Sequence, residues 1–224
     1  LTTDNRQLTT IITVKLAVLI SGSGTTLQNL IDQIAEGDLE ARIAVVIASR
    51  PGLKGIDRAA AAQLPIIVID RREFETPADF SEQVFAAVDQ FQVDLVCLAG
   101  WLCLLDIPPR YSGRVMNIHP SLLPKFGGKG MYGQKVHQAV LDAGCDQSGC
   151  TVHYVDNQYD NGPIILQRIC PVLPGDTAQT LAARVFEEEK VAYPEAIRQH
   201  RATWRGRRNE DERRTSNVER RTSK

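Results

Sequence analysis

Apolar residues along this chain follow two rhythms. Short unbroken runs, Leu16-Ala17-Val18-Leu19-Ile20, Ala44-Val45-Val46-Ile47-Ala48, Pro65-Ile66-Ile67-Val68-Ile69 and Val93-Asp94-Leu95-Val96-Cys97-Leu98-Ala99, read as strands buried on both faces. Between them Leu27, Leu30, Ile31 and Ile34, then Ile56 to Ala62, then Phe80, Val84, Phe85 and Val88 within Pro77 to Gln90, recur at helical spacing. Strand and helix alternate, which predicts a parallel sheet with right-handed crossovers. A fifth strand through Arg114-Val115-Met116 ends in Asn117-Ile118-His119-Pro120-Ser121-Leu122-Leu123-Pro124.

The rhythm then changes. A helix is predicted over Lys135 to Ala143, an alternating strand over Ser148 to Val155 and another over Pro163 to Ile169, joined by Asp156-Asn157-Gln158-Tyr159-Asp160-Asn161-Gly162. A last helix opens at Thr177 and runs to about Arg198, with Leu181, Val185, Val191, Ala192 and Ile197 as its apolar stripe. The fold class is therefore α/β: an open three-layer Rossmann-like sheet, mostly parallel, with an antiparallel or mixed C-terminal part. Residues 1–14 read as a flexible lead-in, 15–198 as one domain and 199–224 as an Arg-rich disordered tail. That tail holds nine Lys/Arg and four acids among its residues 201–224, with few apolar groups.

Composition narrows the partners. The 224 residues are 43% hydrophobic and 24% charged with a formal net charge of −1, an ordinary globular balance that argues against a general nucleic-acid or membrane role. No apolar run approaches a bilayer span, and residues 1–7 lack the pattern of a secretory signal, so a cytoplasmic location is expected. Five cysteines with no C-x-x-C pair read as reduced thiols.

The candidate chemistry sits at strand ends, where open α/β sheets bind ligands. Ser21-Gly22-Ser23-Gly24-Thr25-Thr26 joins the first strand to a helix and would present backbone N–H groups to an anion. A Walker Gly-Lys-Ser/Thr ending is absent, and Leu27 stands where a dinucleotide fingerprint has a small residue, so a phosphate monoester fits better than a dinucleotide. Gly100-Trp101-Leu102-Cys103-Leu104-Leu105 is apolar enough for a core plug or for the wall of a flat ligand's pocket. In an extended Asn-Ile-His, Asn117 and His119 share one side, which suits either a hydrogen-bonded turn or two donors meeting one reacting atom. Phe126 to Gly133 carries four glycines and reads as mobile or as a backbone approach to a ligand. His137 reads as a solvated or cap-side histidine, and Glu187-Glu188-Glu189 as a solvated face.

Taken together, Leu19 through Gln28, Leu98-Ala99-Gly100-Trp101, Asn117 through Pro124, Asp160 through Ile165 and Glu189-Lys190-Val191-Ala192-Tyr193-Pro194 resemble the 10-formyltetrahydrofolate-dependent formyltransferase family, most closely its phosphoribosylglycinamide-directed branch. The segments keep the family's order from about Lys15 to Arg198. The resemblance implies Asn117, His119 and Asp160 as the catalytic trio, and Gly24, Thr25 and Thr26 as the loop for the substrate's 5′-phosphate. Glu189 is implied to receive the glycyl amine. Leu102, Cys103, Leu104 and Leu105, together with Asn117, are implied to bind the folate. It also implies formyl transfer from 10-formyltetrahydrofolate to phosphoribosylglycinamide in purine (IMP) synthesis, no metal, and a monomer or homodimer. Cys103 and Thr26 stand where family members often have Arg and Asn.

Formyl transfer to an amine passes through a tetrahedral intermediate whose oxygen gains negative charge, so donors must be aimed at it. The Asn117 amide and a protonated His119 would supply two, with Asp160 raising the His119 pKa. Hydrolysis of 10-formyltetrahydrofolate by the same trio is an open alternative. An NADP-type Rossmann binding module, with Arg50 on a 2′-phosphate, is another.

Overall fold

The computed structural model describes residues 13–222, with side chains as far as residue 203. Its elements are β1 (Val14–Ile20), α1 (Thr25–Ala35), β2 (Ala41–Ala48), α2 (Lys54–Ala61), β3 (Ile66–Val68), α3 (Pro77–Asp89), β4 (Leu95–Leu98), β5 (Val115–His119), α4 (Gln134–Asp142), β6 (Gln147–Tyr154), β7 (Ile164–Pro171) and α5 (Ala178–Thr222). One seven-stranded sheet runs in the order β3-β2-β1-β4-β5-β6-β7. Pairing is parallel from β3 to β5 and antiparallel from β5 to β7. The expected sheet with its mixed C-terminal part is thus the observed one. Strand order reverses direction between β1 and β4, the switch point where such sheets open a crevice at their carboxyl ends.

The two faces are covered unequally. On one, α1, α4 and α5 meet the sheet through Leu27, Leu30, Val140, Leu181 and Val185, together with Met116 and Ile118 of β5. On the other, α3 inserts Phe80, Val84, Phe85 and Val88 against Leu19, Ile47 and Val96. A Thr76 hydroxyl accepts from the Asp79 N–H at 3.1 Å and Pro77 takes the first turn, which fixes where α3 starts. Near β5 this second face is closed by two loops, 99–114 and 155–163, which are joined where the Ile107 N–H donates to the Asn157 side chain at 2.8 Å.

Two boundaries differ from the sequence reading. The lead-in of residues 1–14 lies outside the described residues except for its last two, and Val14 already pairs with Ala41. Helix α5, expected to end near Arg198 before a disordered tail, continues in its backbone to Thr222. Its contacts also pass the expected end. His200 is buried with its Nδ1 2.8 Å from the Tyr154 hydroxyl, and Arg201 pairs with Glu40. A sparse apolar stripe signals the end of a packed face, but Arg and Glu have good helix propensity and continue a helix without one.

Tyr193 of α5 is fully buried, and its hydroxyl lies 3.0 Å from both the Leu98 and Met116 carbonyl oxygens. It therefore fastens α5 to the strands that lead into the crevice. Replacing Tyr193 with Phe leaves both carbonyls without that donor and is expected to destabilise the fold by about 1–3 kcal/mol. Urea unfolding checks this as a lower midpoint with an unchanged slope.

Candidate active site

The strand β5 splits its side chains between the two faces. Met116 and Ile118 enter the core under α5, while Val115 belongs to the opposite core. Strand alternation puts Asn117 and His119 on the Val115 side, at the carboxyl end. The loop that follows is fastened by short bonds. Thr151 donates to the Ser121 carbonyl at 2.7 Å and accepts from the Leu123 N–H at 3.0 Å, while the Ser121 hydroxyl donates to the Lys125 carbonyl at 2.7 Å. Ser121 is thus occupied in holding the loop.

The connection between β6 and β7 folds back over Asn117 and His119. Asp156 performs its turn chemistry, accepting from the Gln158 N–H at 2.9 Å and the Asn161 side chain at 2.6 Å. Asp160 instead points into the site. Its Oδ1 lies 3.3 Å from His119 Nδ1 and 3.5 Å from Asn117 Nδ2, and its Oδ2 accepts from the Gly128 N–H at 2.8 Å. Burial alone would raise the Asp160 carboxyl. The hydrogen bond and charge of His119, with the Gly128 N–H, outweigh that and hold it below the usual carboxylate range.

His119 is 4% exposed and meets an oxygen on each side. Its Nε2 donates to the Phe126 carbonyl at 2.8 Å while Nδ1 faces Asp160. A doubly protonated ring satisfies both acceptors at once. The backbone here is strained: Phe126 (φ 58) and Asp160 (φ 49) occupy the left-handed region without being glycine. At Gly127, between Phe126 and Gly128, a Cβ would stand 2.5 Å from Leu123 Cδ2 and 3.1 Å from Asp160 Cβ, so a side chain there would force Leu123 to shift.

A cavity of about 410 Å³ opens beside this trio. Asn117, His119 and Asp160 line it together with Thr26, Leu102, Glu189 and the backbone run 128–133. Of the expected anion loop, Thr26 reaches the cavity. Gly24 (φ 72) caps α1, and a Cβ there would meet Gly55 Cα at 2.6 Å. Thr25 is exposed in the first turn of α1. The segment expected to wall a flat ligand divides between two spaces. Cys103, Leu104 and Leu105 border a space of about 50 Å³, enough for a water or two, while Leu102 is 47% exposed toward the larger cavity. Trp101 behind them stacks on Phe80 with centroids 5.7 Å apart. All five cysteines are free, and burial pushes the Cys97 thiol up to about 12.

Two histidines and one acid differ from their local sequence reading. His137 is 4% exposed, with a buried Nδ1 that has no hydrogen-bond partner among the described residues, because Val136 and Val140 carry α4 into the core beside it. Glu189 is not on a solvated face: burial pushes its carboxyl up to about 7, against a smaller opposite pull from His119. His153 was read only as a strand residue. It pairs across the sheet with Asn117, and its Nε2 lies 3.2 Å from Asn117 Nδ2. The signal for it was the antiparallel register, which needs the partner strand's alignment and not local pattern. Among the described residues, no three His, Cys, Asp or Glu side chains are grouped to hold a metal ion, and no helix is long and apolar enough to cross a membrane.

An open α/β sheet that gathers an amide, an imidazole and a carboxylate around one cavity at its carboxyl edge is the architecture of a small-molecule enzyme. Residues 14–197 match the family model described as formyl transferase, so the chain belongs to the formyl transferase family. It is 39% identical over 186 residues to the phosphoribosylglycinamide formyltransferase of Haemophilus influenzae, covering 82% of this chain and 85% of that one. It is 41% identical to the trifunctional purine biosynthetic protein adenosine-3 of Gallus gallus, of which it spans 18%. Among solved structures it resembles glycinamide ribonucleotide transformylase 1 from Symbiobacterium toebii, with TM-score 0.76 and 41% identity over 83% of this chain and 86% of that one.

The raised Glu189 carboxyl has a measurable sign. Its folded value lies above the unfolded one, so its contribution to stability is complete below about pH 4.5 and is lost as pH rises to about 7. Glu189→Gln is therefore expected to gain on the wild type across that window, by about 3 kcal/mol, and to stay level above it. Paired denaturant titrations at pH 4.5, 6 and 8 measure the difference; a constant gap would contradict it.

Proposed function

We propose that this chain transfers the formyl group of 10-formyltetrahydrofolate to the glycyl amine of 5′-phosphoribosylglycinamide, a step of de novo purine synthesis. The observation that carries the reading is that Asn117, His119 and Asp160 line the same cavity as Thr26 and Glu189. Thr26, in the first turn of a helix, suits an anion, and the Glu189 carboxylate suits an amine. The relatives' names support formyl transfer with phosphoribosylglycinamide as the acceptor.

In this reading the amine attacks the formyl carbon directly. A new N–C bond forms, the carbonyl oxygen takes negative charge, and collapse breaks the bond to the folate nitrogen, which leaves with a proton. The Asn117 N–H and the cationic His119 serve the oxygen, a contribution of about 3 kcal/mol for one such donor in related acyl transfer. His119 Nε2 is engaged by the Phe126 carbonyl, so its delivery to substrate requires Phe126 and the Gly-rich run behind it to turn. Glu189 accepts a hydrogen bond from the amine in its ionised form. The folate ring lies against Leu102, Cys103, Leu104 and Leu105, and the space beside Cys103 must widen to take it. We place the domain at residues 15–198.

The direct test mixes the protein with 10-formyltetrahydrofolate and phosphoribosylglycinamide and follows folate absorbance. Turnover that needs the amine is expected. Formate release at the same rate without the amine would establish hydrolysis instead, and NADPH binding without folate binding would overturn both. Asp160→Asn is expected to lower turnover by on the order of a hundredfold. Unchanged turnover would remove Asp160 from the mechanism.

A further inference from the structure

Asn117 can serve an oxyanion only if its amide nitrogen, and not its oxygen, faces the reacting centre. Nothing in the Asn117 side chain itself decides which way the amide lies. The adjacent strand does. His153 Nδ1 sits 2.9 Å from the Tyr154 carbonyl oxygen and 3.0 Å from that of Asn161, two groups that only accept. Its proton must therefore be on Nδ1. In the neutral ring Nε2 is then an acceptor, and it lies 3.2 Å from Asn117 Nδ2. One N–H of Asn117 is thereby committed to His153. The other makes only the long 3.5 Å approach to Asp160 and remains to be aimed at substrate.

We infer that His153 is a positioning residue for the formyl-transfer reaction proposed above: locked as the neutral Nδ1–H tautomer by two backbone carbonyls, it fixes the Asn117 amide with its nitrogen toward the reacting carbonyl. The inference rests on that functional reading for its catalytic consequence, while the tautomer itself is independent of it. The surroundings agree. His153 is 1% exposed, and burial keeps it below the ordinary histidine range although the two carbonyls and Asp160 pull the other way and His119 adds to the lowering. The charged or titratable groups that share its small cavity are Asp160, Asp156 and Tyr159 of the β6–β7 connection and Cys103 after β4; His119 faces it from β5, and its β7 partner, Ile164, is apolar. A second proton on His153 would turn Nε2 into a donor opposed to the Asn117 N–H, so the amide would have to rotate and present its oxygen.

Two measurements test this. In ¹⁵N-labelled protein at pH 7, long-range nitrogen–proton correlation is expected to show the neutral Nδ1–H form for His153, assigned by loss of its signals in His153→Gln. The Nε2–H form or an imidazolium would overturn the proposal whatever the enzyme does. In turnover, His153→Leu removes the acceptor and should lower kcat by about 10–100-fold with both KM values within about twofold. His153→Gln can still offer an oxygen near the Nε2 position, and it should recover kcat to within a few-fold. Wild-type kcat in His153→Leu, or equal losses in both variants, would overturn the positioning role; folded content checked by circular dichroism separates that from unfolding. Absence of formyl transfer by the wild type would instead defeat the earlier functional reading and leave the nitrogen spectrum to decide the tautomer.

Discussion

One carboxylate holds the site together. Asp160 joins three segments that the sequence keeps apart: β5 through His119 and Asn117, the Gly-rich run through the Gly128 N–H, and its own connection between β6 and β7. A carboxylate with an 11% exposed side chain costs several kcal/mol in lost hydration unless it is paired and hydrogen-bonded. The positive φ of Asp160 adds on the order of 1–3 kcal/mol of backbone strain. Both costs are met only while the three segments stay in place. The arrangement is therefore cooperative: losing any one partner leaves a buried charge with too few donors, and the neighbours lose the group that oriented them.

The architecture was legible because it depends on local rhythm. Unbroken apolar runs in β1, β2 and β4 and the helical stripe of α3 needed no knowledge of the rest of the chain, and they came out within a few residues of their observed bounds. Asn117 and His119 were legible for the same reason, since a period of two on β5 places them together. Glu189 was legible only through family resemblance. Its own surroundings, three acids in a row on a helix, suggest solvent, whereas the fold turns it to the cavity beside His119. His137 and His153 were opaque because their environments are made by other elements. Asp156 and Asp160 look alike in the sequence, four residues apart in one turn; which of them caps the turn and which enters the site depends on the left-handed bend at Asp160. The extent of α5 was missed because a helix does not require a buried stripe.

The cavity offers a ligand two kinds of polar surroundings. Thr26 lines it from the first turn of α1, and Asp160 and Glu189 line the same space. An anionic group is favoured at the helix start and disfavoured near the carboxylates; an amine has the reverse preference. A substrate with both, as in the proposed reading, has one orientation in which each end meets its complement.

The placement of Glu189 follows from a fastening four residues away. Tyr193 shares a hydroxyl between the carbonyls of Leu98 and Met116, which are at or near the carboxyl ends of β4 and β5. Residues four apart on a helix lie one above the other on the same face, separated by about one turn of 5–6 Å. Fixing Tyr193 against those strands therefore sets Glu189 just beyond their edge, beside Ile118 and His119. The contact that secures the core and the contact that positions the acid thus belong to one face of α5. A change in how that helix seats on the sheet would be felt in the cavity even though Tyr193 itself does not line it.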